Sequence, residues 1–388
     1  MSSQHIADQE PVIVEAVRTP FGKRNGALQG WHAAELMAKV LGAVAERSGV
    51  PMADVDDVVA GCATQVGEQA GNVARTALLL AGFPVTVPGM TVNRACGSSQ
   101  QAVHIADNLI RSGVCDVVIA GGVELMSKTA GGNDNTHYGR RYPEHLVRKF
   151  SMPSMGIAAE RIAARWGLDR KQLDELSMRS HRLAAQAWDE GRLENEVITL
   201  TGADGKAFSR DEGVRSDTSL EKLGTLKTVF QEDGRVTAGN ASQVSDGASA
   251  VLLMTAAKAR EYGLRPRARL KNQCVVGVDP ELMLTGPIPA TRAILARSGL
   301  SMADIDLFEI NEAFASVLGA WAAELEPDMN KVNVNGGAIA LGHPLGASGA
   351  RLITAIVNEL ERRDGRYGLV SMCCGGGLGT ATLIERLA

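Results

Sequence analysis

Two hydrophobic patterns alternate along the chain. Short apolar runs such as VIVEA, DVVIAGG and GLVSMCC have the length and β-branched content of buried strands. Between them, stretches such as SSQQAVHIADNLIR place apolar residues at helical spacing after a Gly/Ser start. This succession predicts an α/β fold built in layers.

The pattern also repeats. Residues 49–61 (GVPMADVDDVVAG) and 299–311 (GLSMADIDLFEIN) align without gaps, sharing the glycine, Met-Ala-Asp and a second aspartate. A looser pair follows in the same order: 97–124 and 346–379 each run from a Gly/Ser start through an amphipathic helix and an apolar strand to glycines. Two ordered matches predict an internal duplication. Its halves are 1–124 plus 246–272, and 273–388, and their pairing would bring positions 96 and 373 to one seam. The segment 125–245 breaks the pattern; its SKTAGGNDNTHYGRRYPEHLVRKF is Gly/Asn-rich, then basic, and too long for a plain connection, so it reads as an inserted lid or interface element.

Composition narrows the function classes. A chain of 388 residues with 45% hydrophobic and 22% charged residues and a net charge of -4 is expected to be soluble, globular and of two or three domains. The weak negative charge argues against a nucleic-acid partner, and the lack of an 18-residue apolar run argues against a membrane span. The first ten residues show no secretion or transit pattern and the terminal ERLA is no peroxisomal address, so a cytoplasmic location is expected. Six cysteines without C-x-x-C spacing read as reduced thiols, with no metal site. The vicinal pair Cys373 and Cys374 is poorly placed for a mutual bridge.

Three stretches carry candidate chemistry. TVNRACGSSQQA sets Cys96 after an apolar strand and at the start of a helix, where N–H groups and the helix dipole favour a thiolate. A buried structural cysteine, as expected for Cys62 and Cys115, fits the same pattern. GGAIALGHPLGASGA holds His343 in a loop whose glycines let backbone approach a ligand, a suitable place for a base. A loop histidine with only structural bonds is the alternative. EINEAFAS places Asn311 and Glu312 at the end of the repeated strand, where Asn311 could hold a water or an oxyanion, or cap a helix.

Taken together, VNRACGSSQQA, GGVELMS, TAGNASQVSDGASA, NEAFA, NVNGGAIALGHPLGASG and CCGGGLG resemble the thiolases in order and context, over essentially the whole chain. The resemblance implies two βαβαβαββ halves in a five-layered αβαβα arrangement with an inserted loop domain. It implies a ping-pong acyltransferase in which Cys96 carries the acyl group, His343 activates it, Cys373 serves as acid/base, Asn311 orients an oxyanion-hole water, and the N–H groups of Cys96 and Gly375 form a second oxyanion hole. Arg215, Ala238, Ser242, Met283 and Met155 fall on positions that line the coenzyme A and acyl site. Coenzyme A is then a substrate rather than a resident cofactor, with 3-ketoacyl-CoA and acetyl-CoA as the other partners, and the assembly a homodimer or homotetramer.

Two positions depart from the family pattern. Gln100 stands where an apolar residue is usual. Ser154 stands where the acetoacetyl-CoA-forming, biosynthetic thiolases carry a histidine before Met-Gly, which favours a degradative 3-ketoacyl-CoA thiolase. A ketoacyl synthase of the same fold would want a second His or an Asn in place of the Cys373 motif. A non-catalytic CoA- or lipid-binding protein would have no need of the full Cys96, His343, Asn311 and Cys373 set.

Overall fold

The structure is a computed structural model that describes residues 7–129, 139 and 141–387. Its strands are β1 (Pro11–Arg18), β2 (Gly22–Lys23), β3 (Asp57–Gly61), β4 (Gly89–Val92), β5 (Val117–Leu125), β6 (Leu200–Thr201), β7 (Ala207–Phe208), β8 (Ser245–Thr255), β9 (Ala268–Gly277), β10 (Leu307–Ile310), β11 (Tyr367–Cys374) and β12 (Leu378–Arg386). Its helices are α1 (Ala33–Ser48), α2 (Val73–Leu80), α3 (Ser98–Arg111), α4 (Glu144–Lys149), α5 (Met155–Arg165), α6 (Arg170–Asp189), α7 (Leu220–Gly224), α8 (Ala256–Glu261), α9 (Pro287–Ser298), α10 (Ala315–Leu325), α11 (Ala338–Leu341) and α12 (Leu345–Arg363).

The large strands form two sheets of the same design. In one, β4, β3 and β5 run parallel and β8 and β1 continue the sheet antiparallel. In the other, β10 and β11 run parallel and β12 and β9 follow antiparallel. The sheets join only where Ile13 of β1 meets Ala268 of β9. The boundary expected between 272 and 273 therefore falls inside β9, which pairs with β12 along its whole length.

The gapless repeat recurs as repeated structure. α1 ends at Gly49 and α9 at Gly299, both left-handed with φ of 70°, a conformation glycine adopts without steric cost. A short 3-10 turn over Met-Ala-Asp follows in each half. The second shared aspartate then anchors the parallel neighbour of the strand it precedes: Asp56 accepts from the N–H groups of Asp116 and Val117 at the start of β5, and Asp306 from those of Arg366 and Tyr367 at the start of β11.

Side-chain packing makes five layers. One face of the first sheet packs on α1 and α2 through Val40, Leu41, Val58, Leu78 and Leu252. The other face packs on α3 and α12, which also cover the inner face of the second sheet through Val103, Ile353, Val370 and Met372. The outer face of the second sheet packs on α9 and α10 through Ile294, Phe308, Val317 and Leu369. α12 lies in the middle layer and is buried at 14 of its 19 positions, the polar Ser348, Arg351, Thr354 and Glu359 among them. The segment between β5 and β8 carries α4–α7 and the β6–β7 hairpin; residues 130–138 and 140, part of its Gly/Asn-rich stretch, lie outside the described residues. Its later loop is locked to β1 by a buried ion cluster, in which Arg18 bonds Glu196 at 2.7 Å and Asp211 at 2.7 and 3.0 Å.

Candidate active site

Cys96 sits in a tight turn just before α3. The turn is held by Ala95 in the left-handed region (φ 48°), by the Asn93 side chain accepting the Ala95 N–H at 2.8 Å, and by Ser98, which accepts from Arg94 N–H and donates to the Ala95 carbonyl. The thiol is 3% exposed. Burial pushes its pKa up to about 11, although the Gly375 N–H and the N–H of Cys96 itself both point at the sulfur and pull the value down. The thiolate expected from a helix N-terminus is thus not the resting form: desolvation outweighs the donors.

Cys373 and Cys374 end β11, opposite Gly379 and Leu378 of β12. Strand alternation sends them to different layers. Cys373 joins the outer cluster with Met283, and Cys374 joins the middle layer with Cys96. Both thiols are buried and lie within the field of Cys96, so burial first and that neighbouring sulfur second raise their pKa values well above the ordinary range. All six cysteines are free.

His343 lies in the loop between α11 and α12, beside Asn311, which is bonded to β11 at Ser371, two residues before Cys373. Its tautomer follows from its neighbours: Ser348 donates its hydroxyl proton to the Pro344 carbonyl at 2.8 Å, so its oxygen accepts from His343 Nδ1–H at 2.6 Å. Nε2 then carries the lone pair, with Asn311 Nδ2 at 3.3 Å. Burial, and next the Arg351 charge, lower the imidazole pKa to about 3, so the ring rests neutral. Asn311 donates its own N–H to the Ser371 carbonyl at 3.0 Å, and its side-chain oxygen has no hydrogen-bond partner among the described residues. It is not a helix cap, since α10 starts only at Ala315 with Phe314 as its N-cap.

Both halves of the chain thus contribute: a buried thiol under two N–H groups with a second thiol in its field, and a neutral imidazole beside an amide. Models of two known family domains match the chain. The description "Thiolase, N-terminal domain" covers residues 11–257 and "Thiolase, C-terminal domain" covers 264–386. The chain belongs to the thiolase family. It is 47% identical to the steroid 3-ketoacyl-CoA thiolase FadA6 of Mycobacterium tuberculosis, over 97% of this chain and 94% of that protein. It is 44% identical to a 3-ketoacyl-CoA thiolase of Klebsiella pneumoniae, over 98% and 100%. Among solved structures, the Bacillus anthracis acetyl-CoA acetyltransferase superposes with a TM-score of 0.90 at 42% identity, covering 97% of this chain and 99% of that one. Human mitochondrial 3-ketoacyl-CoA thiolase gives 0.91 at 36%, covering 98% and 100%.

This thiolase supports its site with buried carboxylates to which sequence reasoning gave no role. Glu124, in GGVELMS, accepts from the N–H groups of Ala63, Thr64 and Gly346 and from the Gln69 amide, all at 2.9–3.0 Å, and so ties the first half to the start of α12. Glu312, in NEAFA, accepts from Ser180, Asn333 and the Ile339 N–H, fixing the loop that leads to His343. A carboxylate inside a small-residue motif was the available signal. The glycines beside His343 were expected to admit a ligand, but Gly346 and Gly349 admit protein instead. A Cβ on them would come within 2.4 Å of the Val123 carbonyl and 2.3 Å of the Gln100 backbone nitrogen.

The residues expected around coenzyme A lie on segments bonded to this centre. Ala238 and Ser242 are on the loop before β8, where Ser242 N–H bonds the Ala313 carbonyl at 3.0 Å. Gln243 links Gly213, two residues from Arg215, to the Ile339 and Ala340 carbonyls. Ala238 and Arg215 are exposed and Ser242 half-buried. Met155 opens α5 with its sulfur 4.0 Å from where a Cβ on Gly375 would sit, whereas Met283 is buried beside Cys373. Ser154 is the N-cap of α5, accepting the Ile157 N–H.

Proposed function

We propose that this chain is a degradative 3-ketoacyl-CoA thiolase, cleaving 3-ketoacyl-CoA with coenzyme A to acetyl-CoA and a shortened acyl-CoA. The observation that carries the reading is Cys96 under two N–H donors with Cys373 close by, and neutral His343 beside Asn311, whose backbone is bonded to β11 two residues before Cys373. Names of relatives at 44–47% identity support the substrate class, and Ser154 supports the degradative direction.

In the first half-reaction the Cys96 proton passes to His343 Nε2 and the sulfur attacks the 3-keto carbon. The oxyanion that forms accepts from the N–H groups of Cys96 and Gly375. As the C2–C3 bond breaks, its electron pair becomes the enolate of acetyl-CoA, and C2 takes the Cys373 proton. The thioester oxygen of that enolate is held by the His343 and Asn311 pair; the unpartnered carbonyl of Asn311 suits a water that donates to the enolate with its other proton. In the second half-reaction coenzyme A gives its thiol proton to Cys373 and attacks the acyl-Cys96 thioester. The proton on His343 returns to the Cys96 sulfur. A cysteine suits this exchange because its acyl ester and the CoA ester are both thioesters of similar energy.

Coenzyme A enters here as a substrate, along the Arg215, Ala238, Ser242, Met155 and Met283 side, and the 125–245 segment acts as the lid. The enzyme works in the cytoplasm as a homodimer or homotetramer; the free outer edge of β4 and the exposed Leu80 and Val85 nearby support association. No described helix is long and apolar enough to cross a membrane. The test is a CoA-dependent thiolysis assay over 3-ketoacyl-CoAs of increasing size. Cys96→Ala should give neither turnover nor acyl-enzyme. Cys373→Ala should still acylate Cys96 from acetyl-CoA and lose at least about a thousandfold in carbon–carbon cleavage. Equal loss of acylation in both variants would refute the division of labour, and activity confined to acetoacetyl-CoA would favour the biosynthetic reading.

A further inference from the structure

The middle layer contains a buried polar chain that the catalytic scheme does not use. Gln100, the third residue of α3, is fully buried. Its amide oxygen accepts the Thr380 hydroxyl at 2.6 Å, and its amide nitrogen donates to Thr382 Oγ1 at 2.6 Å and, less closely, to the Val370 carbonyl at 3.4 Å. The Thr382 hydroxyl, its oxygen already accepting from Gln100, has its proton left for His104 Nε2 at 2.7 Å. At the other end Thr380 and the Cys374 sulfur lie against Gly97: a Cβ there would meet Sγ at 2.7 Å and Thr380 Oγ1 at 3.2 Å. The chain thus begins at the residue after Cys96 and ends at His104, about two turns further along the same helix.

Thr380 and Thr382 are two residues apart on one face of β12, roughly 6.6 Å along the strand. A single amide bonding both grips the strand at two points and fixes the helix along it. An apolar side chain would fill the space without resisting that slide. The helix presents Cys96, and β12 pairs directly with β11, which carries Cys373 and leads into Gly375. By contrast, His343 precedes α12, which touches α3 at Gly349 and the Gln100 backbone, and is bonded to Asn311.

We infer that Gln100 is a positioning residue: through Thr380 and Thr382 it locks the helix carrying Cys96 onto the sheet carrying Cys373, and so sets the spacing between nucleophile and acid/base. The inference rests on the thiolase reading and adds to it a device for the proton-transfer step.

Two half-reactions test it separately. Acylation of Cys96 by acetyl-CoA, read by intact mass, needs Cys96 and His343. Deuterium uptake at C2 of acetyl-CoA in D2O, with carbon–carbon cleavage beside it, needs Cys373 as well. Gln100→Met should slow exchange and cleavage by about ten- to hundredfold more than it slows acylation, with the KM for coenzyme A within about twofold. Because that variant leaves buried hydroxyls without their partner, the quadruple variant Q100M/H104L/T380V/T382V removes the linked polar side chains together. Its melting temperature should recover while exchange stays slow. Equal changes in both half-reactions, or recovery of exchange together with stability, would overturn the inference. If the unaltered protein forms no acyl-enzyme at Cys96, the thiolase reading fails, and this inference with it.

Discussion

The Cys96 thiol receives two backbone N–H groups and is still pushed up to about 11, because burial in the middle layer desolvates the charged form. Its proton must therefore leave during attack rather than before it, which is the task left to His343 Nε2. Small alkylating agents bring no such assistance. Alkylation of Cys96 by iodoacetamide should accordingly rise about tenfold per pH unit from 7 to beyond 9, without the plateau near neutrality that a preformed thiolate would give. The neighbouring pair allows an isosteric comparison. Cys374→Ser keeps a hydroxyl that can bond Thr380, and should retain cleavage within a few-fold. Cys373→Ser leaves a far weaker acid in the same place and should lose at least about a hundredfold. Steady-state thiolysis of the two variants side by side measures this; reversed outcomes would exchange the roles of the two residues.

α12 shows how an element can orient a catalytic ring. Its first turn bends the Ser348 hydroxyl back to the Pro344 carbonyl, and that bond decides which nitrogen of His343 carries the proton. Ser348→Ala should leave the fold intact and lower kcat/KM by about ten- to hundredfold, with Ser348→Thr restoring part of the loss, since threonine can make the same back-bond. An unchanged rate would mean that the tautomer is held by something else. Legibility in the sequence follows the same physics. The repeat could be read because Gly49 and Gly299 need left-handed backbone and Asp56 and Asp306 each anchor a strand, so both copies keep the same letters. The cysteine pair could be read because strand alternation is rigid. What could not be read depends on which surfaces meet. Nothing local distinguishes a glycine that admits a ligand from Gly349, which admits Gln100, or a solvated glutamate from Glu124, which gathers four N–H donors from three distant segments.

Across the whole molecule, the two halves contribute complementary parts of one centre, and the layer between them is sealed enough to keep histidines uncharged. His104 and His343, both buried between the sheets, are lowered to about 3, in each case by burial first. An unfolded chain protonates these rings near the ordinary value of about 6.5. Below that value the unfolded state binds protons that the folded state refuses, so each histidine removes stability as pH falls toward 3, and above about 6.5 it removes none. Buried carboxyls act in the opposite sense: Glu309, raised to about 8 chiefly by burial, favours the folded state as pH falls through the window between 8 and 4.5. The overall melting curve is a balance of the two, and a difference between variants isolates one histidine. His104→Gln keeps an acceptor for Thr382 but has no proton to take up. Relative to this variant, the unaltered protein should lose about 2 kcal/mol between pH 7.5 and pH 5, the result of one extra proton on the unfolded chain over roughly 1.5 units. Paired denaturant titrations at the two pH values measure that difference directly; a constant gap would mean that His104 already carries its proton in the folded middle layer.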